Sequence, residues 1–432
     1  MRKLAASLIL VLALGARAQE TKPSVTFTKD VAPLFFKYCA SCHRASEVAP
    51  FPLMEYGDVK KRAKQLLAAI ESRLMPPWKP AEGYGEFMGE RRMKSEDIET
   101  FRAWVQQGCA EGDAKDLPPQ PKFPEGWAYG EPDLVVSMPE AYTVPAEGRD
   151  IIRAFWIPLN LPETRFVSAV QIRSQNLRVV HHAVLYVDPV GESKRKDEAD
   201  PEPGFDGNRI GLSAVSGGIL SSWLPGGIML PFPDGMAKDV KKKCDLVLQL
   251  HFNPIGRVVK ERTQIGFWFL KEPPRRLITA VPLFQSNIDL PPDQKDLLIK
   301  DKYVLPVDVD LIGIRAHAHN LAREVKIWGK DPDGKEIPIL WIKDWDFNWQ
   351  EQYRFREMIR LRKGTELHMH WFYDNTTGNP KNPSNPPVRV KFGERNIDEM
   401  AMAGVQVALF DPSDKLKIYL NRLSDPKEKQ DK

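Results

Sequence analysis

The chain has 432 residues, 42% of them hydrophobic, with 62 Lys and Arg against 58 Asp and Glu and a formal net charge of +4. That near-balance, without a clustered basic block, excludes nucleic acid as a partner, because phosphate binding needs concentrated positive charge. The length allows about three compact units.

The first residues, Met1-Arg2-Lys3, precede an apolar run from Leu4 to Leu14 and then Ala16-Arg17-Ala18. A basic start, a short apolar core and an A-x-A box make a secretory signal peptide over 1–18, too short to span a bilayer. No later apolar run reaches the length of a membrane span. The expectation is an exported protein, periplasmic or secreted, with a nearly neutral mature chain once Arg2, Lys3 and Arg17 are removed.

Residues 19–112 carry helical patterns. Val31, Leu34, Phe35 and Tyr38 follow the i, i+3, i+4, i+7 spacing. A second pattern takes in Val59, Ala63, Leu67, Ile70 and Leu74, stopped by Pro76-Pro77. A third starts at Ser95, buries Ile98, Phe101 and Val105, and ends at Gly108. Residues 113–132 are rich in proline and predict a semi-rigid linker. Beyond it, short alternating segments such as Ile151–Ile157, Ala183–Val187, Leu246–His251 and Thr365–Tyr373 predict strands. Asp333-Gly334 marks a hairpin turn. The expected β units cover 133–285 and 286–415, and 416–432 is expected as a polar tail.

Cys39-Ala40-Ser41-Cys42-His43 is CxxCH, the attachment signature of haem c. The two thiols form thioethers to the haem and His43 reaches the iron. A thioredoxin-like CxxC would want a βαβ context, and a zinc site would want a second ligand pair; neither is evident. A sixth iron ligand should follow downstream, and Met75, on the Met-Pro turn before Pro76, is the choice over Met54, Met88 and Met93. This segment resembles the small cytochrome c domains, in which such a turn commonly carries the ligand.

Of eight histidines, seven fall in the β region: His181, His182, His251, His317, His319, His368 and His370. Arg315, His317 and His319 alternate onto one strand face, so the two imidazoles form a chelating pair suited to copper, zinc, iron or nickel. His181 and His182 are adjacent and reach one ion only at a strand end. With His251 they make a three-histidine set, or else a capping pair and a core histidine.

Val180-His181-His182-Ala183-Val184-Leu185, Gln249-Leu250-His251-Phe252, Arg315-Ala316-His317-Ala318-His319 and Asp398-Glu399-Met400 occur in that order. In this the chain resembles the copper type II, ascorbate-dependent monooxygenases, the group of the peptidylglycine α-hydroxylating and dopamine β-monooxygenases, over roughly 133–411. The resemblance implies two jelly-roll-like sandwiches and two copper ions. His181, His182 and His251 match the electron-transferring copper site. His317, His319 and Met400 match the one that activates dioxygen, with a thioether that favours Cu(I). Arg315 matches a residue that holds a substrate carboxylate. Where the peptide enzymes continue with an Asn and a Tyr, this chain has Met402 and Gly404, which argues against a peptidylglycine substrate. His368 and His370 match no family ligand. Cys109 and Cys244 are left as a pair or as free thiols.

The expected fold class is therefore multidomain: a small all-α cytochrome c domain, then two all-β jelly-roll-like sandwiches. The expected activity is hydroxylation of a C–H bond in a small-molecule or peptide-like substrate, using dioxygen. Electrons come from an external donor (ascorbate, a quinol-linked donor or a cytochrome) through the haem domain. The alternatives are an electron-transfer or copper-handling redox protein without hydroxylase activity, and a non-redox binding module.

Overall fold

The structure is a computed structural model describing residues 24–45, 47–210, 218–227 and 229–423. The signal peptide read over 1–18 lies outside the described residues.

A π turn, Phe27–Val31, runs directly into the helix Ala32–Tyr38, and Ser95–Gln106 packs against them. Phe35, Phe101 and Trp104 form the centre of this set, with Phe35 and Phe101 ring centroids 5.1 Å apart. The expected second helix is two, Tyr56–Lys61 and Ala63–Glu71, broken at Arg62. It ends before Leu74, which is 55% exposed rather than buried.

The rest is strand. An eight-stranded sheet takes its strands in the order Leu134–Ser137, Gln264–Phe269, Arg165–Arg173, Met236–Val240, Arg276–Gln285, Ala401–Leu409, Val309–His317 and Gln352–Leu361. Its first half covers a five-stranded sheet that includes Ile151–Ile157, Asp245–Phe252 and Val180–Asp188, and a core of side chains such as Phe155, Leu248 and Phe267 fills the space between. Its second half covers a four-stranded sheet of Gln294–Val304, Glu366–Asn375, Ala322–Lys330 and Glu336–Ile342, around Trp345, Trp371 and Tyr373. The join is a short parallel pairing of Arg276 with Met236 and Leu277 with Ala237.

This overturns the expected class of a small all-α cytochrome c domain followed by two sandwiches. The protein is mostly β, 37% strand against 16% helix, with one small helix set rather than an all-α domain evident in it. Physically, the helices do not close on themselves. The segment between Glu71 and Ser95 leaves them and docks on the second β unit, where Pro80 bridges Ile342, Phe87 bridges Phe355, and Phe87 enters that unit's core. Arg91 makes two hydrogen bonds to Glu351, at 2.6 and 3.2 Å. The β units are likewise not two separate sheet pairs, because one sheet runs through both.

The chain also continues in regular structure past 415: the helix Asp414–Leu423 docks through the buried Ile418 and an Arg422–Asp301 ion pair of 2.9 Å. Among the described residues no helix is long and apolar enough to cross a membrane.

Candidate metal centres

His181 and His182 begin the strand Val180–Asp188, and His251 sits near the end of its neighbour Asp245–Phe252. Val180 pairs with Phe252, yet His182 pairs with His251, so one extra residue, His181, is inserted in the register. Such a β-bulge re-aims a side chain that regular alternation would send to the other face. Both adjacent imidazoles thereby reach His251: ring centroids are 4.9 Å for His181–His251 and 5.0 Å for His182–His251. One ligand nitrogen from each of the three lies within 4.8 Å of the others.

The hydrogen bonds around this trio choose the nitrogens. Asp150 Oδ2 lies 3.0 Å from His251 Nε2, so that nitrogen donates, and His251 Nδ1 is left buried without a partner. The Nδ1 atoms of His181 and His182 approach to 3.3 Å. A buried bare nitrogen beside two others is what a bound cation would satisfy. Burial pushes the His181 imidazolium down to about 4 and that of His182 well below the ordinary value, so both rings are neutral and ligand-ready near pH 7. The bond to His251 holds Asp150 below the usual carboxylate range.

The second set is built on Val309–His317, whose inward residues Ile314 and Ala316 lie in the core and leave Arg315, His317 and His319 on the opposite face. His317 and His319 stand edge to face at 5.2 Å. Gln350 Oε1 takes the proton of His317 Nδ1 at 2.5 Å, and the Asp398 carbonyl takes that of His319 Nδ1 at 2.9 Å. Both rings thus keep Nε2 free for an ion. His317 pairs across the sheet with Met402, where the pairing ends, and the half-buried Met400 directly precedes the strand Ala401–Leu409.

Glu399, fully buried, holds this corner. It accepts from the backbone N–H groups of His319, Leu321 (2.9 Å) and Met400 (3.1 Å). Burial still pushes its carboxyl up to about 8, against the opposing effect of those donors.

The two sets share Phe347 as a neighbour. Its ring lies 6.5 Å from His251 and 5.7 Å from His319, which puts those two imidazoles at most about 12 Å apart. Nothing in the sequence pattern marked Phe347, Gln350 or Asp150, and Glu399 stood in the Asp398-Glu399-Met400 motif without a role of its own. Each acts by its place in space rather than by local spacing.

Arg315 is half-buried, its Nε has no hydrogen-bond partner, and burial lowers its pKa. It pairs with Gly404, where an added Cβ would meet nothing within 4 Å. The space that a larger residue would fill beside Arg315 is open.

In the helix set, Cys39 and Cys42 are free thiols on one turn, with His43 N–H donating to the Cys39 carbonyl at 2.8 Å. His43 Nδ1 lies 3.0 Å from the Phe51 carbonyl, so it donates there and Nε2 is left for an iron. Burial lowers the His43 pKa, keeping the ring neutral, and raises the Cys39 thiol to about 12. These residues fit a covalently attached haem. Met75 is half-buried on the turn after Ala63–Glu71.

Two further expectations resolve. Cys109 and Cys244 are both free. His368 stacks on Trp328 at 5.0 Å and 7°, His370 meets the same ring edge-on at 4.7 Å, and Glu366 takes His368 Nε2 at 3.0 Å. This pair is an aromatic packing feature of the four-stranded sheet.

Fold and site together define a strand-rich protein with a three-imidazole cluster and a two-imidazole one. No protein-family profile matches the chain, and no curated protein matches it. Among solved structures it is similar to the major capsid protein P2 of bacteriophage PM2, with 10% identity over 64% of this chain and 96% of that one at a TM-score of 0.25. It is also similar to the infectious bursal disease virus VP2 subviral particle, with 10% identity over 64% of this chain and 70% of that one at a TM-score of 0.20. At such TM-scores neither likeness speaks for this chain's fold or function.

Proposed function

We propose that the protein is an exported haem- and copper-containing monooxygenase that hydroxylates a C–H bond with dioxygen. The observation that carries this reading is the nearness of two ligand-ready imidazole sets, His181/His182/His251 and His317/His319, which share Phe347 as a neighbour. The likeness of the motifs to the copper type II monooxygenases supports it.

Copper at the two sites would supply one-electron redox chemistry and dioxygen activation, and haem at Cys39, Cys42 and His43, with Met75 as sixth ligand, a further one-electron store. The chain's own residues prepare the sites. Asp150, Gln350 and the Asp398 carbonyl hold the ring protons away from the ligand nitrogens. Glu399 fixes the backbone between His319 and Met400. Arg315, beside the opening at Gly404, takes an anionic group of the substrate. In balance, one oxygen atom enters the C–H bond and the other leaves as water, consuming two electrons and two protons from an external donor.

A second reading is a redox protein that carries electrons or handles copper without hydroxylating anything. Phe347 favours it, since its ring, within 6.5 Å of a histidine of each set, occupies room that a substrate would need.

The test measures copper and iron per chain, then reduces the protein anaerobically and admits dioxygen with a substrate panel. The monooxygenase reading expects two coppers, one haem iron and an oxygenated product that is lost with His317→Ala. Metal oxidation with no product across a broad panel selects the second reading. Haem iron without copper removes both.

A further inference from the structure

Away from both imidazole sets, a small open-mouthed cavity lies where three parts of the chain meet. Trp78 and Arg91 come from the segment after the helices, Trp223 and Phe232 from the first β unit, and Glu351 and Arg354 from the second. The proposed reaction uses none of these residues.

The charges in the wall do not balance. Arg91 is neutralised by its paired Glu351. Arg354 lays its guanidinium over the Phe232 ring at 5.2 Å, and among the described residues no carboxylate pairs with it. On the same ring, at 5.6 Å, stands the Lys238 ammonium, which donates to the Ile219 and Leu220 carbonyls and, among the described residues, has no carboxylate partner. Burial lowers the pKa of both cations, as expected where positive charge lacks a counter-ion.

Two wall residues add unused donors. Trp78 Nε1 and Ser222 Oγ are buried without a hydrogen-bond partner. An unsatisfied buried donor costs about 1–3 kcal/mol, so such groups are normally paired by protein, water or ligand. Water can satisfy the indole and the hydroxyl but cannot balance the guanidinium. The missing piece is an acceptor that carries negative charge, and the aromatic walls ask for a flat body behind it. Because Arg91 and Glu351 cancel, one negative charge is enough to balance Arg354.

We propose that this cavity seats a single carboxylate on a flat unsaturated body, with Arg354 and Ser222 on the carboxylate and Trp78, Trp223 and Phe232 on the ring. Two sources share that chemistry. One is a free aromatic monocarboxylate. The other is a propionate of a haem tethered at Cys42, whose sulfur lies so close to Gly226, beside the lining residue Gly227, that a Cβ there would collide with it. This second source rests on the haem reading; the first does not.

The test titrates the full exported chain with anthranilate, following energy transfer from tryptophan, with anthranilamide as the neutral isostere. Anthranilate should bind at least about tenfold tighter than the amide, and Arg354→Gln should erase that difference. Arg356→Gln, a largely exposed guanidinium two residues on, should change nothing. Equal binding of acid and amide by every form of the protein, or a preference that survives Arg354→Gln, overturns the proposal. Should Arg354→Gln not fold, Ser222→Ala still has to weaken the acid selectively. Comparing the haem-loaded chain with a Cys39→Ala/Cys42→Ala chain assigns the source: anthranilate binding in both means a free ligand, and binding only without the tether means that the propionate holds the seat.

Discussion

His182 lies directly across from His251, although Val180, two residues before it, pairs with Phe252. The inserted residue between them is His181, so the bulge and the third ligand are one feature. His181→Ala keeps the bulge and removes a nitrogen. The expected result is loss of one metal equivalent per chain at micromolar free copper, with the second site retained, measured by elemental analysis after dialysis. A variant that still holds both equivalents would show that these imidazoles are not a ligand set.

Gln350 orients His317 through Nδ1 and leaves the other ring nitrogen open. Replacing it with leucine removes the acceptor for Nδ1–H, frees the ring to rotate and allows the wrong tautomer. Supports of this kind contribute roughly 10–100-fold to metal affinity. Competition titration against a chelator should show a drop of that size at one site only, with Gln350→Glu restoring most of it.

Above pH 8, where the Glu399 carboxyl is ionised, Glu399→Gln keeps the shape but presents an NH2 group where the carboxylate accepts from backbone N–H groups of His319, Leu321 and Met400. A donor forced against buried donors costs about 1–3 kcal/mol. Urea unfolding should show that loss, together with weaker metal binding at His317/His319. An unchanged midpoint would mean that the corner does not depend on the carboxylate.

Lys238 makes stability depend on pH. Its ordinary value is 10.5, and burial lowers it to about 7 in the folded chain. Between those values the unfolded chain binds more protons, so this group makes the fold more stable as pH rises from about 7 towards 10.5, and its penalty is fully present below 7. Lys238→Met removes that slope. Unfolding midpoints at pH 6.5, 8 and 9.5 should therefore rise more steeply for the natural chain than for the variant; parallel curves would refute the assignment.

Much of the second β unit was legible because its signals are local. His317 and His319 share a face whenever the segment is a strand, and Ile314 and Ala316 bury the other face. The helix starting at Ser95 was legible for the same reason, its apolar spacing and terminal glycine being short-range features. The expectation of a separate all-α domain failed where locality failed. The proline- and glycine-rich run from Pro76 to Glu90 looks like loop within a helical domain. Phe87 instead has its partners in Tyr353 and Phe355, more than 260 positions away.

The sequence by itself determined which chemistry-bearing residues exist and the faces that regular periodicity allows them: CxxCH on one turn, HxH on one strand face, and a methionine able to stand near it. Only the tertiary structure decided that His181 and His182 turn the same way, that Phe347 neighbours both imidazole sets, and that Arg354, Trp78 and Ser222 meet around one cavity. The reason is physical. A periodic pattern describes contacts within a single element, whereas a bulge is set by the partner strand's register, and a buried charge is defined by neighbours that chain separation does not reveal.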